Sequence, residues 1–299
     1  MNDKPARLHF NLLHWLVIGL GTVIFISLFF VQRTPPLDNK KNTSAEQSTT
    51  GERNTGNNPN AQTNETDEQP LTLQDLPPLP DQYKELTSTI QSLAGSKSKS
   101  DSLATLNRLV SKAFQTGRLD YAAIYKEIAF GIRPSDTALK STAKYFKLAF
   151  DLYRSENKPQ LAEKARLKGV QLYEQYLKNQ PTDTDAKIEL ALLHVESKQP
   201  MAGIQQLVQI TQQEPTNYRA QLELGIFSLN TAQLAKAEER LRKVIQLKPD
   251  HWEGHYYLGM ALRQAQKNAE ARSAFASAKK YAKDRVILDE IENQLNTLP

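Results

Sequence analysis

The chain contains no cysteine. That absence removes a disulfide framework, a thiolate nucleophile and a thiolate zinc site together, and it fits an oxidising or envelope compartment. Histidine is scarce too, with five in 299 residues. No phosphate-binding loop, dinucleotide fingerprint or nucleophile elbow appears. The one pair with metal-ligand spacing is His251 and His255. Trp252 stands where the metalloprotease motif needs glutamate, and His251 falls before its helix begins, so no metal is expected there. His194 lies among Leu190, Leu192, Leu193 and Val195 and reads as a core residue. A basic run is also missing: the formal charge of +5 is spread along helix faces, which argues against nucleic acid as a partner. No stretch alternates as a strand does. Enzymatic, metal and cofactor chemistry all lack a motif, and the expected class is all-α.

What the sequence does contain is a period of 34 residues. Pro181, Pro215 and Pro249 are spaced by it, and each closes a unit because proline cannot continue a helix. Between them the same residue types recur. Leu190-Ala191, Gly203, Leu207 and Ile210 are followed by Leu224-Gly225, Ala237, Leu241 and Val244, then by Leu258-Gly259, Ala271, Phe275 and Ala278. The small residues let paired helices approach closely. The spacing and residue types resemble the tetratricopeptide repeat (TPR), a helix–turn–helix solenoid. Clear repeats are expected at 184–217, 218–251 and 252–285, with degenerate ones at 103–136 and 137–183. The second degenerate unit is longer than the period, so both its helices should be extended, with Asn157-Lys158-Pro159 as the turn. The expectation for 81–299 is therefore about five helix pairs, with a short helix near 82–93 before them, Asp101 as a first N-cap and a capping helix opened by Asp284.

The amino-terminal part is organised differently. Residues 10–31 carry no formally charged side chain, and about 20 apolar residues suffice to cross a bilayer as one helix. The run ends in Leu28-Phe29-Phe30-Val31 without a small-x-small cleavage site, so an uncleaved anchor is expected rather than a signal peptide. Lys4 and Arg7 precede it, and Arg33, Lys40 and Lys41 follow, a near tie in flanking charge. The preference of a short leading segment (1–9) for the cytoplasm places the rest outside, in the periplasm of a single-pass inner-membrane protein. Residues 32–80 form a polar linker, too poor in apolar side chains over most of its length to fold. Its last ten residues, 71–80, break that pattern with four leucines and three prolines. Such a strip suits docking on a helical surface as well as a stiff spacer.

The TPR resemblance implies a concave surface lined by the first helix of each unit. Carried onto this sequence, it names Ile188, Leu192 and Val195, then Arg219, Leu222, Ile226 and Leu229, then Tyr256, Met260 and Arg263. These make an apolar groove edged by charge, suited to an apolar or amphipathic peptide. The Lys and Asn pattern of repeats that clamp chaperone carboxy termini is absent. Anchor, polar linker and carboxy-terminal array together are similar to Bacteroidota-type envelope TPR proteins, which implies a tethered scaffold or assembly factor for a protein or peptide client. The alternative expectation is a cytoplasm-facing anchored receptor or a self-associating homo-oligomeric scaffold, its groove filled by its own chain.

Overall fold

The computed structural model describes residues 69–78 and 98–299. The expected anchor at 10–31, most of the linker and the helix near 82–93 lie outside the described residues. Among the described residues no helix is long and apolar enough to cross a membrane. The regular structure there is a 3-10 turn at Leu73–Asp75 and eleven α-helices. They are α1 (Lys99–Gln115), α2 (Leu119–Ile132), α3 (Asp136–Ser155), α4 (Pro159–Asn179), α5 (Thr184–Val195), α6 (Pro200–Gln213), α7 (Tyr218–Asn230), α8 (Leu234–Leu247), α9 (Trp252–Gln264), α10 (Asn268–Tyr281) and α11 (Arg285–Asn296). Consecutive helices pair antiparallel, and the five pairs stack into a solenoid closed by α11.

Each boundary has a local cause. The first helices α5, α7 and α9 are capped by Asp183, Asn217 and His251, whose side chains accept from the backbone N–H three residues on. The caps are therefore spaced by the sequence period and satisfy otherwise orphaned amide groups. Asp284 caps α11 by accepting from Val286 and Ile287. The cap of α1 is Ser98 rather than Asp101. Ser98 accepts from the Asp101 N–H, which leaves the aspartate inside the first turn, where its charge favours the helix dipole. In four of the five pairs the chain turns between the helices through a left-handed residue: Gly117 (φ 73°), Asn157 (φ 55°), Ala232 (φ 56°) and Gln266 (φ 58°). Pro159 and Pro200 open α4 and α6 at the position where a missing N–H costs nothing.

The longest pair is α3–α4: α3 has 20 residues and α4 has 21, against 12 to 14 in α5–α10. Among the described residues it supplies three of the five aromatic side chains at full burial, Phe146, Tyr153 and Tyr173. Three apolar clusters run along the solenoid. The first joins Leu71 and Leu76 of the strip to α1–α5, the second fills α7–α11, and a smaller one of Ile188, Ala191, Ile204, Leu207, Ile210, Ala220 and Leu224 lies between them. The small repeat residues sit where helices cross. A Cβ on Gly203 would overlap the Ala191 carbonyl and stand 2.5 Å from Val195 N, so α5 and α6 touch backbone to backbone.

Candidate functional site

The first helices α3, α5, α7 and α9 lie side by side, and their shared face carries a row of charges. Lys147 on α3 pairs with Asp151 at 3.2 Å and reaches Glu189 on α5 at 4.0 Å. Arg219 on α7 binds Asp185 at 3.2 Å and also Glu189. Burial works against both cations, and the neighbouring carboxylates outweigh it, so Lys147 and Arg219 are held charged with raised pKa values. One turn further along α7 stands Glu223, with Glu253 and Tyr257 on α9 close by. Among the described residues Glu223 has no ion-pair partner. Burial pushes its carboxyl up to about 7; Glu189 and Glu253 add to the effect, and Arg219 and Lys147 offset only part of it. Burial likewise raises Glu253, against Arg219 and Lys248, and it raises the Tyr257 phenol, with Glu253 and Glu223 adding to it. The ion pairs thus gather at the α3–α5 side of the face, and at its α7–α9 side stand two carboxyl groups, Glu223 and Glu253, whose ionisation burial opposes.

Residues 228–285 match the family model described as tetratricopeptide repeat. The solenoid is TPR-like. Among solved structures, similar chains include MamA residues 41–end from Desulfovibrio magneticus RS-1, at 17% identity and a TM-score of 0.42 over 60% of this chain and 95% of that one. Another is YrrB, titled a TPR protein with an unusual peptide-binding site, at 14% identity and 0.37 over 70% and 97%. Likenesses of that size carry no argument about what this chain binds. No curated protein matches it.

Within the TPR-like array the ten residues expected in the groove divide into two sets. Ile188, Leu222, Leu229 and Tyr256 are buried and pack between helices; Tyr256 additionally donates its hydroxyl to Glu290 on α11 at 3.3 Å. Leu192, Val195, Arg219, Ile226, Met260 and Arg263 are part-exposed, and Arg263 is tied to Gln294 of the capping helix. Sequence reasoning passed over Glu189, Glu223 and Tyr257. Their signal was the period itself: Glu189 and Glu223 occupy the same repeat position, each between two apolar residues that turn inward, and Tyr257 follows one period later.

His251 and His255 do not converge on a metal. His251 accepts the Gly254 N–H through Nδ1 at 3.3 Å as a cap, and burial, with Lys248 nearby, lowers its pKa. His255 Nε2 lies 2.8 Å from the Pro249 carbonyl. His194 sits against Gln206 at 3.0 Å, partly buried.

The strip docks, and it does so away from the shared first-helix face. Leu71 N–H donates to the Lys164 carbonyl on α4 at 3.1 Å, and Asp75 pairs with the Lys164 ammonium. The Pro77 carbonyl accepts from Tyr121 Oη at 3.1 Å and from Arg118 Nη2 at 3.3 Å, at the start of α2. Leu71 and Leu76 are buried. Residues 79 and 80 lie outside the described residues.

Proposed function

We propose that this protein is a membrane-tethered protein–protein interaction scaffold that holds an amphipathic peptide of an envelope client on the face formed by α5, α7 and α9. The observation that carries the reading is the pairing on one face of part-exposed apolar side chains, Leu192, Ile226 and Met260, with the carboxylates Glu223 and Glu253, which the local cations leave under-compensated. An apolar stripe beside an acidic one suits a helix whose apolar side is flanked by Lys or Arg, since both recognition modes then act together. The tether is the apolar segment at 10–31, and its length and lack of charge support that role.

Ile226→Glu with Met260→Lys should abolish capture of crosslinked envelope partners while the far-ultraviolet circular dichroism stays helical. Retention of every partner by that folded variant sinks the groove reading. Orientation is tested separately, by fusing a reporter active only outside the cytoplasm after Pro299. Signal from a cytoplasm-active reporter instead would favour an anchored cytoplasmic receptor.

A further inference from the structure

The strip and its seat each carry hydrogen bonds that do not involve the other. Inside the strip, Thr72 N–H and Oγ1 both donate to Asp75 Oδ2 at 2.8 Å, and Asp75 N–H returns to the Thr72 carbonyl at 3.1 Å. This closed turn is made wholly by residues 72–75. In the seat, Arg118 is fixed by Asp120, with Nε at 3.1 Å and Nη2 at 2.9 Å. Asp120, 1% exposed, is held in turn by the Tyr153 hydroxyl at 3.0 Å and the Tyr121 N–H at 2.9 Å. Arg118 therefore points its donor at the Pro77 carbonyl from a network that involves no strip atom, and the Tyr121 hydroxyl, whose ring lies 4.6 Å from the guanidinium, joins it there. The Lys164 carbonyl and ammonium belong to one residue of an uninterrupted helix. Leu73, the leucine between the two buried ones, is 41% exposed. Of the strip's described leucines, Leu71 and Leu76 enter the apolar cluster.

From this two-sided preorganisation we propose that the second-helix layer of α2 and α4 is a peptide-receptor site, distinct from the first-helix face, and that residues 69–78 are its occupant in cis, a releasable clasp. The site reads a segment with leucine, aspartate four residues on at the end of a single 3-10 turn, then Leu-Pro. The aspartate meets Lys164, the two leucines enter the apolar seat, and the proline carbonyl meets Arg118 and Tyr121. Proline at that place leaves the carbonyl as the only backbone group to satisfy. Because neither partner needs much reordering, exchange costs little conformational freedom, and in the intact chain the tethered copy prevails through its effective concentration.

The test uses the full chain carrying Leu71→Asp and Leu76→Asp, and a fluorescent synthetic peptide of residues 69–78. The peptide should bind this variant saturably and bind the unaltered chain at least roughly ten-fold more weakly, because the seat is taken. A peptide with Asp75→Lys should lose roughly ten-fold in affinity, and Lys164→Asp in the receiving chain should restore it. Asp75→Lys in the full chain, which keeps both leucines, serves as the milder release, and its peptide affinity should fall between the two. Equal binding to the altered and unaltered chains would place the peptide elsewhere and overturn the proposal. So would failure to bind folded released variants, or loss of helical structure in both of them, since the strip would then be core rather than clasp.

Discussion

The pair α3–α4 uses 20 and 21 residues where α7–α8 uses 13 and 14, and the two regions are filled differently. Around α1–α4 the core holds Tyr125, Phe146, Tyr153 and Tyr173, together with the buried Asp120 and its hydroxyl and guanidinium partners. Across α5–α10 the crossings are made by alanine, glycine and leucine, with Phe275 the only aromatic at full burial. A buried carboxylate needs partners fixed in direction; Arg118 and the Tyr121 N–H supply them from beside Asp120, and Tyr153 from the last turn of the long α3. A small-residue crossing needs none: helix meets helix there, and the buried Ser228 bonds within its own helix to the Leu224 carbonyl. One region is thus specified by a few irreplaceable hydrogen bonds and the other by close approach repeated at a fixed interval.

Four substitutions would break or sharpen that contrast. The largest effect is expected from Asp120→Ala, which strands Arg118 and Tyr153. It should cost about 4 kcal/mol in urea unfolding, and a loss below about 1 kcal/mol would show that the network is not what specifies the first region. Next comes Gly203→Ala, where the added methyl has backbone on two sides. A cost of about 3 kcal/mol is expected, and, because a solenoid couples only neighbouring units, the single unfolding transition should split in two as the small central cluster yields. A single sharp transition in that variant would assign the coupling to other contacts.

Glu223→Gln should act in the opposite direction. Folding raises this carboxyl from its ordinary 4.5 to about 7, so the native chain holds a proton there at pH values where the unfolded chain has lost it. The unfavourable charge is fully present above pH 7 and disappears as the pH falls toward 4.5. Gln should therefore stabilise by about 1–2 kcal/mol at pH 8 and bring no gain at pH 4.5; melting curves at the two pH values decide it. The smallest effect is expected at Gly131, near the end of α2, where an added Cβ meets nothing within 4 Å. Gly131→Ala should raise stability by about 0.5 kcal/mol through helix propensity alone. A loss there would mean that the first region, too, depends on a close approach at α2.

The regular region was legible because its physics is periodic. Leu224-Gly225 and Leu258-Gly259 announce the same crossing one period apart, and Pro181, Pro215 and Pro249 mark where units end. The length of α3 and α4 was also legible, as the excess over one period. The Asp120–Tyr153 contact was not, since 33 residues separate the two and neither is unusual in its own helix. The cap of α1 was misplaced for a related reason: Ser98 and Asp101 are both capable caps, and only the course of the chain before them decides which one turns its oxygen toward the amide. For the candidate face, apolar and edge residues could be named by repeat position, but burial separated Ile188, Leu222, Leu229 and Tyr256 from those that a peptide could touch. The opposed ionisation of Glu223 and Glu253 arises from distances between helices, which no single repeat encodes.

The seating of the strip also has a mechanical side. A pull carried to Leu71 would be taken up by its amide and by Asp75, both fastened to Lys164 in the second pair of the stack. Tension would pass into α4 and onward, and α1 with most of α2 would hang beside the line of force. A solenoid hauled by its end helix peels unit by unit; one gripped along its flank must shear several contacts at once.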